Sequence, residues 1–177
     1  MADAAKVLVT GGVRSGKSRH AERLLSELEP VTYVAAGPTF DDPDWQARVA
    51  AHRDRRPPAW TTVETVDLES AVRSAIGPVL VDCLGTWLAG VIDEERLWDA
   101  PAGDVDDAVL SRLAGVVAAI GDATQRVVVV TNEVGLGVVP EHRSGRLFRD
   151  LLGTVNQRVA EACDEVHLVV AGRVLVL

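Results

Sequence analysis

Short apolar runs recur along this chain, separated by segments whose apolar positions fall three and four residues apart. The runs predict strands at 6–10, 31–35, 79–82, 126–131, 165–170 and 173–177, and the intervening periodicity predicts helices at 17–28, 42–55, 67–76, 105–121 and 141–162. Val127-Val128-Val129-Val130 is continuous rather than alternating, the pattern of a strand covered on both faces. In the last helix Leu147, Leu151, Val155 and Val159 form one apolar stripe. The closing stretch VHLVVAGRVLV is split by Ala171-Gly172 and reads as an antiparallel edge hairpin. Segment 93–107 is acidic, holds Pro101 and Gly103, and reads as a surface loop. With no linker, repeat or low-complexity tract, residues 1–177 are expected to form one α/β domain around a mostly parallel sheet flanked by helices.

Composition narrows the class. Hydrophobic residues make up 47% and charged residues 25%, an ordinary globular balance. Eighteen Lys and Arg stand against 26 Asp and Glu, and the net charge of −8 argues against general nucleic-acid binding. The two cysteines, Cys83 and Cys163, have no metal-like spacing; Cys83 lies in an apolar context, and a disulfide framework is not expected. No run approaches membrane-spanning length and MADAAK is not an apolar leader, so a cytoplasmic protein is expected.

Lys6 to Ser18, KVLVTGGVRSGKS, carries the most specific chemistry. Gly11, four residues, then Gly16-Lys17-Ser18 is the spacing of a phosphate-binding P-loop, and strand, glycine loop and helix arrive in the required order. Backbone N–H groups released by the glycines converge on phosphate oxygens at the positive end of the following helix. Lys17 is placed to reach the β- and γ-phosphates, and Ser18 to ligate Mg²⁺. The fold expected is therefore a P-loop NTPase (RecA-like).

Three further features bear on the site. Pro78-Val79-Leu80-Val81-Asp82 is an apolar strand ending in a carboxylate, which suits a Mg²⁺ site; the alternative is a helix N-cap for a segment starting at Leu84. In DPDWQARVAAHRDRRPP, residues 42–58, a helix would align Trp45, Val49 and His52, with Arg53, Arg55 and Arg56 following at once. Guanidiniums so clustered suit a polyphosphate, and their charge keeps the imidazole neutral, which is its nucleophilic form; a packed or solvated histidine is the alternative. Thr131 to Pro140, TNEVGLGVVP, leaves a central strand and enters a helix carrying His142, Arg143, Arg146 and Arg149. Such a loop faces the ligand crevice of a parallel sheet, or is simply a loop before a solvated helix face.

Together these stretches resemble the bifunctional adenosylcobinamide kinase / adenosylcobinamide-phosphate guanylyltransferase family of cobalamin biosynthesis. The matching segments are VTGGVRSGKSRHAE (9–22), ARVAAHRDRRPPAWTTVE (47–64), VLVDCLGTW (79–87) and TNEVGLGVVPEHRSGRLFRDLLGTVNQRVA (131–160), with the likeness weakening around 93–125. The resemblance implies two reactions. A nucleoside triphosphate, ATP or GTP, phosphorylates adenosylcobinamide; GTP then guanylylates a histidine, which passes the group to adenosylcobinamide phosphate and gives adenosylcobinamide-GDP. His52 matches the guanylylated histidine, in the motif H-R-D-x-R. Some relatives have two adjacent histidines where this chain has Ala51 and His52. Gly11, Gly12, Val13, Arg14, Ser15, Gly16, Lys17 and Ser18, then Ala35, Ala36 and Gly37, then Arg53, Asp54, Arg55 and Arg56, with Glu64 and Asp82, match the family's GTP-contacting positions. Ala36-Gly37 replaces a common Thr-Ser pair, and Asp82 stands where relatives often carry Glu. The resemblance also implies a homo-oligomer, a trimer in the relatives.

Two other readings compete. A simple small-molecule kinase would make His52 structural. A GTP-dependent switch commonly reads guanine through Asn-Lys-x-Asp, whereas Asn132 is followed here by Glu133.

Overall fold

The computed structural model describes residues 5–37 and 56–177. The predicted helix at 42–55 therefore lies outside the described residues, as do His52, Arg53, Asp54 and Arg55. Seven strands form one sheet in the order β3-β2-β4-β5-β1-β6-β7. They are β1 (Lys6–Gly11), β2 (Thr32–Ala35), β3 (Thr61–Glu64), β4 (Val79–Asp82), β5 (Val127–Val130), β6 (Glu165–Val170) and β7 (Arg173–Val176). All neighbours run parallel except β6 and β7. The parallel P-loop architecture with an antiparallel C-terminal edge is thus the one the sequence led us to expect. Ala171 (φ 49°) and Gly172 (φ 76°) make the two-residue hairpin turn, which needs positive φ at both positions.

Among the described residues the helices are α1 (Lys17–Leu24), α2 (Leu68–Ser74), α3 (Leu84–Glu94), α4 (Ala102–Asp122) and α5 (Arg143–Ala160). Helix α1 covers one face of the sheet, where Ala21 and Leu25 pack with Val7, Val9, Tyr33, Leu80, Val128 and Val130. Helices α2 to α5 cover the other, over Leu8, Val34, Val79, Val81, Val127 and Val129. Every residue of β5 is buried, as its unbroken valines require.

Three sequence expectations need correction. Residues 102–107 are not loop but the opening of α4, whose first turn carries Asp104 after Pro101. Acidic side chains there oppose the positive helix terminus, so the acidity that suggested solvent marks a helix start instead. Strand β3 was not anticipated, because Thr61-Thr62-Val63-Glu64 is a short edge strand without an apolar run. Helix α3 entered only as the alternative to a metal role for Asp82; it does start at Leu84, with Leu84, Trp87, Leu88, Val91 and Ile92 buried at helical spacing, but its N-cap is Cys83 rather than Asp82.

Candidate active site

Residues 11–18 connect β1 to α1. Gly11 (φ 157°), Arg14 (φ 56°) and Gly16 (φ 99°) turn the chain, and Ser15 N–H donates to the Gly12 carbonyl at 3.3 Å. Gly16 is the residue before the first helical turn, so the loop delivers its backbone to the positive end of α1. Lys17 is 5% exposed, and its Nζ donates to the Gly12 carbonyl at 3.1 Å, curling the ammonium back over the loop. Val13 is exposed at the rim.

The parallel sheet brings the other predicted positions to the same end. Ala35 is in register with both Glu64 and Asp82, and Asp82 with Val130, so the ends of β2, β3, β4 and β5 lie level. Strand β5 separates β1 from β4, which sets the Asp82 strand about 10 Å from the P-loop strand. Beyond β2, the Ala36 N–H donates to the Asp82 carbonyl at 3.2 Å. A side chain at Gly37 would meet Thr86 Cβ at 2.7 Å, so the first turn of α3 fills the space a serine would occupy.

Asp82 is not an N-cap. Cys83 caps α3 in a reciprocal pair with Thr86, which leaves the Asp82 carboxylate at the end of β4. Tyr33 Oη donates to Asp82 Oδ2 at 3.3 Å, and burial first, then the Asp82 charge, pushes the phenol upward, so it remains the donor. Arg56 stacks its guanidinium 3.7 Å from the Tyr33 ring centroid and donates to Thr62 Oγ1 at 3.0 Å. The last arginine of the predicted cluster thus lies against the tyrosine that reaches Asp82. Burial also raises the thiol of Cys83, and both cysteines are free.

The loop after β5 is tied down from two sides. Glu133 N–H donates to the Gly11 carbonyl at 3.1 Å, Thr131 Oγ1 donates to Asn156 Oδ1 at 2.6 Å, and Asn156 Nδ2 to the Asn132 carbonyl at 3.1 Å. Three arginines in the first half of α5 point at backbone. Arg149 donates to the Gly135 carbonyl, Arg146 to those of Pro140 and Glu141, and Arg143 to those of Trp98 and Ala100. They shape the loop. Leu136 and Val138 are 87% and 96% exposed on it, and His142 is exposed at the start of α5.

Sequence reasoning missed Tyr33, Thr86 and His167. Tyr33 is legible once β2 is drawn, since it shares a face with Ala35, two residues on, beside Asp82. Thr86 fills the space beside Gly37 and closes the α3 cap with Cys83, and its one cue is its place three residues after Cys83. His167 interrupts an apolar strand, the one cue it gives; its Nδ1 lies 2.8 Å from His20 Nε2.

Comparison with known proteins follows the same line. Residues 7–177 match the family described as cobinamide kinase / cobinamide phosphate guanyltransferase. The chain is 40% identical over 176 residues to the bifunctional adenosylcobalamin biosynthesis protein CobU of Salmonella typhimurium, covering 94% of this chain and 96% of that protein. It is 41% identical to the Escherichia coli protein of the same name over the same shares, and 38% identical to CobP of Pseudomonas aeruginosa over 93% of this chain and 92% of that one. In fold it is similar to an ATPase of a bacterial type III secretion system, with TM-score 0.59 and 10% identity over 93% of this chain and 52% of that chain. A second likeness is to a Pyrococcus horikoshii protein, PH0250, with TM-score 0.51 and 10% identity over 98% of this chain and 85% of that one.

Proposed function

We propose how a chain that belongs to the cobinamide kinase / cobinamide phosphate guanyltransferase family runs two transfers from one nucleotide cradle. The protein is bifunctional in cobalamin biosynthesis: it phosphorylates cobinamide, then attaches the guanylyl group of GTP to the product. In our reading the accepting molecule is adenosylcobinamide, residues 1–177 form one nucleotide-binding domain, and Gly11 to Ser18 hold the triphosphate of ATP or GTP.

In the first reaction the substrate hydroxyl oxygen attacks the γ-phosphorus, its proton is lost, and the bond to the β–γ bridging oxygen breaks to release nucleoside diphosphate. In the second, a neutral imidazole nitrogen of His52 attacks the α-phosphorus and pyrophosphate leaves. A phosphate oxygen of the substrate then attacks the same phosphorus, and the nitrogen–phosphorus bond breaks to restore the histidine. Lys17, swung from the Gly12 carbonyl, neutralises charge on the β- and γ-oxygens in both cases, because they are transferred or leaving atoms each time. Ser18 and Asp82 offer only hard oxygen donors, and the Asp82 partner Tyr33 packs on the sheet face that α1 covers, so this pair fits Mg²⁺. When bound there, Mg²⁺ supplies further neutralisation of phosphate charge.

The observation that carries the reading is the chain Arg56–Tyr33–Asp82, which ties the end of the H-R-D-x-R motif to the carboxylate beside the nucleotide cradle. His52 stands four positions before Arg56 in the chain, which supports it as the nucleophile in this reading. Incubation with α-labelled GTP followed by denaturing electrophoresis tests it. Wild type retains an acid-labile label; His52→Ala loses the label yet still phosphorylates cobinamide. Robust labelling of folded His52→Ala would overturn the assignment. His20 is a poor substitute nucleophile, since its Nε2 is engaged by His167.

We also read the protein as a homo-oligomer, a trimer by resemblance, in the cytoplasm. In support of the first, β7 is an edge strand with Val174, Leu175 and Val176 exposed, followed by exposed Leu177. In support of the second, both thiols are free, and among the described residues no helix is long and apolar enough to cross a membrane. Light scattering that returns a monomer mass would overturn the oligomer.

A further inference from the structure

The C-terminal hairpin grips the phosphate loop at three points. Gly172 N–H, in the hairpin turn, donates to the Ser15 carbonyl at 2.8 Å. Val169 is in register with Gly11 and sets its carbonyl so close that a Cβ on Gly11 would stand 2.4 Å away. The third point is a chain of side chains running from β6 into α1. His167 Nε2 lies 2.8 Å from Glu165 Oε2, and His167 Nδ1 lies 2.8 Å from His20 Nε2.

Proton inventory assigns the direction of that chain. A carboxylate only accepts, so His167 Nε2 carries a hydrogen and donates it to Glu165. Neutral imidazole then has an acceptor at Nδ1, and His20 Nε2–H donates to it. Glu165 thereby selects the tautomer that lets His167 hold His20, much as an outer carboxylate orients a working imidazole elsewhere. His167 is only 5% exposed, so a missing partner there would leave a buried polar nitrogen unsatisfied. His20 sits one turn beyond Lys17 on α1, and its own N–H closes on the Gly16 carbonyl at 3.0 Å.

We propose that His167, oriented by Glu165, is a positioning residue for the nucleotide: through His20 it fixes the first turns of α1, and with them Lys17 and Ser18. The proposal rests on the reading of residues 11–18 as the nucleotide cradle. Its consequence is that the hairpin at the sheet edge sets the affinity for GTP without touching it.

The test is the dissociation constant of a fluorescent GTP analogue, with an N-methylanthraniloyl group on its ribose, measured beside kcat for cobinamide phosphorylation. His167→Phe keeps the bulk but removes both polar nitrogens, and GTP-analogue binding weakens about threefold to tenfold, the worth of one net hydrogen bond. At saturating nucleotide kcat changes less than about twofold, because the chemical groups are intact. His167→Asn restores an acceptor near the Nδ1 position and recovers most of the affinity. Glu165→Leu, a half-exposed site and the variant to use if His167→Phe does not fold, weakens binding in the same direction. Val159→Ala, on the buried face of α5, is the stability control: it lowers Tm and leaves the dissociation constant unchanged. Wild-type affinity in folded His167→Phe or in Glu165→Leu, an Asn variant as weak as the Phe variant, or an equal loss in Val159→Ala would each overturn the proposal. If wild type itself does not bind the analogue, the cradle reading fails first and the two failures are told apart.

Discussion

Gly11→Ala puts the geometry of the phosphate loop to a quantitative test. The added Cβ would lie 2.7 Å from Ser15 Oγ and 2.4 Å from the Val169 carbonyl oxygen. The serine can rotate away at small cost. The carbonyl cannot, because it belongs to β6, in register with Gly11 itself. Ordinary contact begins at 3.4 Å, so strand or loop has to give by about 1 Å at the point where the two chains pair. The φ of 157° adds a conformation that alanine rarely adopts. Backbone strain of about 1–3 kcal/mol and overpacking of about 1–3 kcal/mol sum to roughly 2–6 kcal/mol. For a chain of 177 residues that lowers Tm by roughly 5–20 °C. The neighbouring Gly12→Ala is the internal comparison, since a Cβ there meets nothing within 4 Å, and its Tm shifts by no more than about 2 °C. Scanning calorimetry of both variants reads the difference, and GTP-analogue binding shows whether the shifted loop still closes on phosphate. A Gly11→Ala protein as stable as Gly12→Ala, with wild-type affinity, would refute the close approach of β6 to the loop.

Lys17→Ala lowers both activities by at least about a hundredfold, because one ammonium serves both leaving groups; retention of either activity would separate the two sites. Tyr33→Phe keeps the ring under Arg56 but removes the hydroxyl from Asp82, so the Mg²⁺ concentration for half-maximal activity rises severalfold with Tm nearly unchanged; Asp82→Asn moves it further in the same direction, and an unchanged metal titration would leave Asp82 outside the metal site. Burial first, then the repulsion that would arise if both His20 and His167 were protonated, and then the Arg23 charge, hold the His20 pKa below its ordinary 6.5. The unfolded chain therefore takes up this proton before the folded one does, and the contribution to stability is full above 6.5 and lost as pH falls from there towards the lowered folded value. His20→Gln flattens that part of the unfolding profile, and an unaltered acid limb in urea titrations would show that another group governs it.

The parts of this molecule that sequence makes legible are those with period or punctuation. Continuous valines gave β5, and four-residue spacing gave α5, whose Leu147, Leu151, Val155 and Val159 are all buried. Gly11 and Gly16 marked the turn of the loop, and both adopt positive φ. What escaped was of two kinds. Strand β3 is half-exposed and four residues long, so its pattern is too short to show a period. Helix α3 had its period and its Leu84 start, but it begins immediately after a strand, with Gly85 near its start, and the cap is Cys83 with Thr86 rather than the Asp82 carboxylate that sequence offered. The site behaves in the same way. Asp82 announces itself at a strand end, whereas Tyr33 becomes functional only because β2 pairs with β4 in one particular register.

That dependence on register bears on how one crevice can serve attack at two different phosphorus atoms. The phosphate loop is braced on both sides, by Glu133 N–H on the Gly11 carbonyl and by Gly172 N–H on the Ser15 carbonyl. Asp82 is held by Tyr33 on a neighbouring strand, and the loop after β5 by Arg146, Arg149 and Asn156 of α5. A frame fixed at so many points favours a stationary triphosphate with attacking groups brought to it. In the proposed mechanism the substrate hydroxyl comes to the γ-phosphorus for phosphorylation and His52 to the α-phosphorus for guanylylation, while Lys17 faces the same oxygens throughout. Such an arrangement makes the two reactions competitors for one bound GTP rather than independent events. Saturating cobinamide should therefore slow the appearance of the GMP adduct when GTP is the only nucleotide present. Adduct formation that ignores cobinamide concentration would require two nucleotide sites, which one P-loop cannot supply.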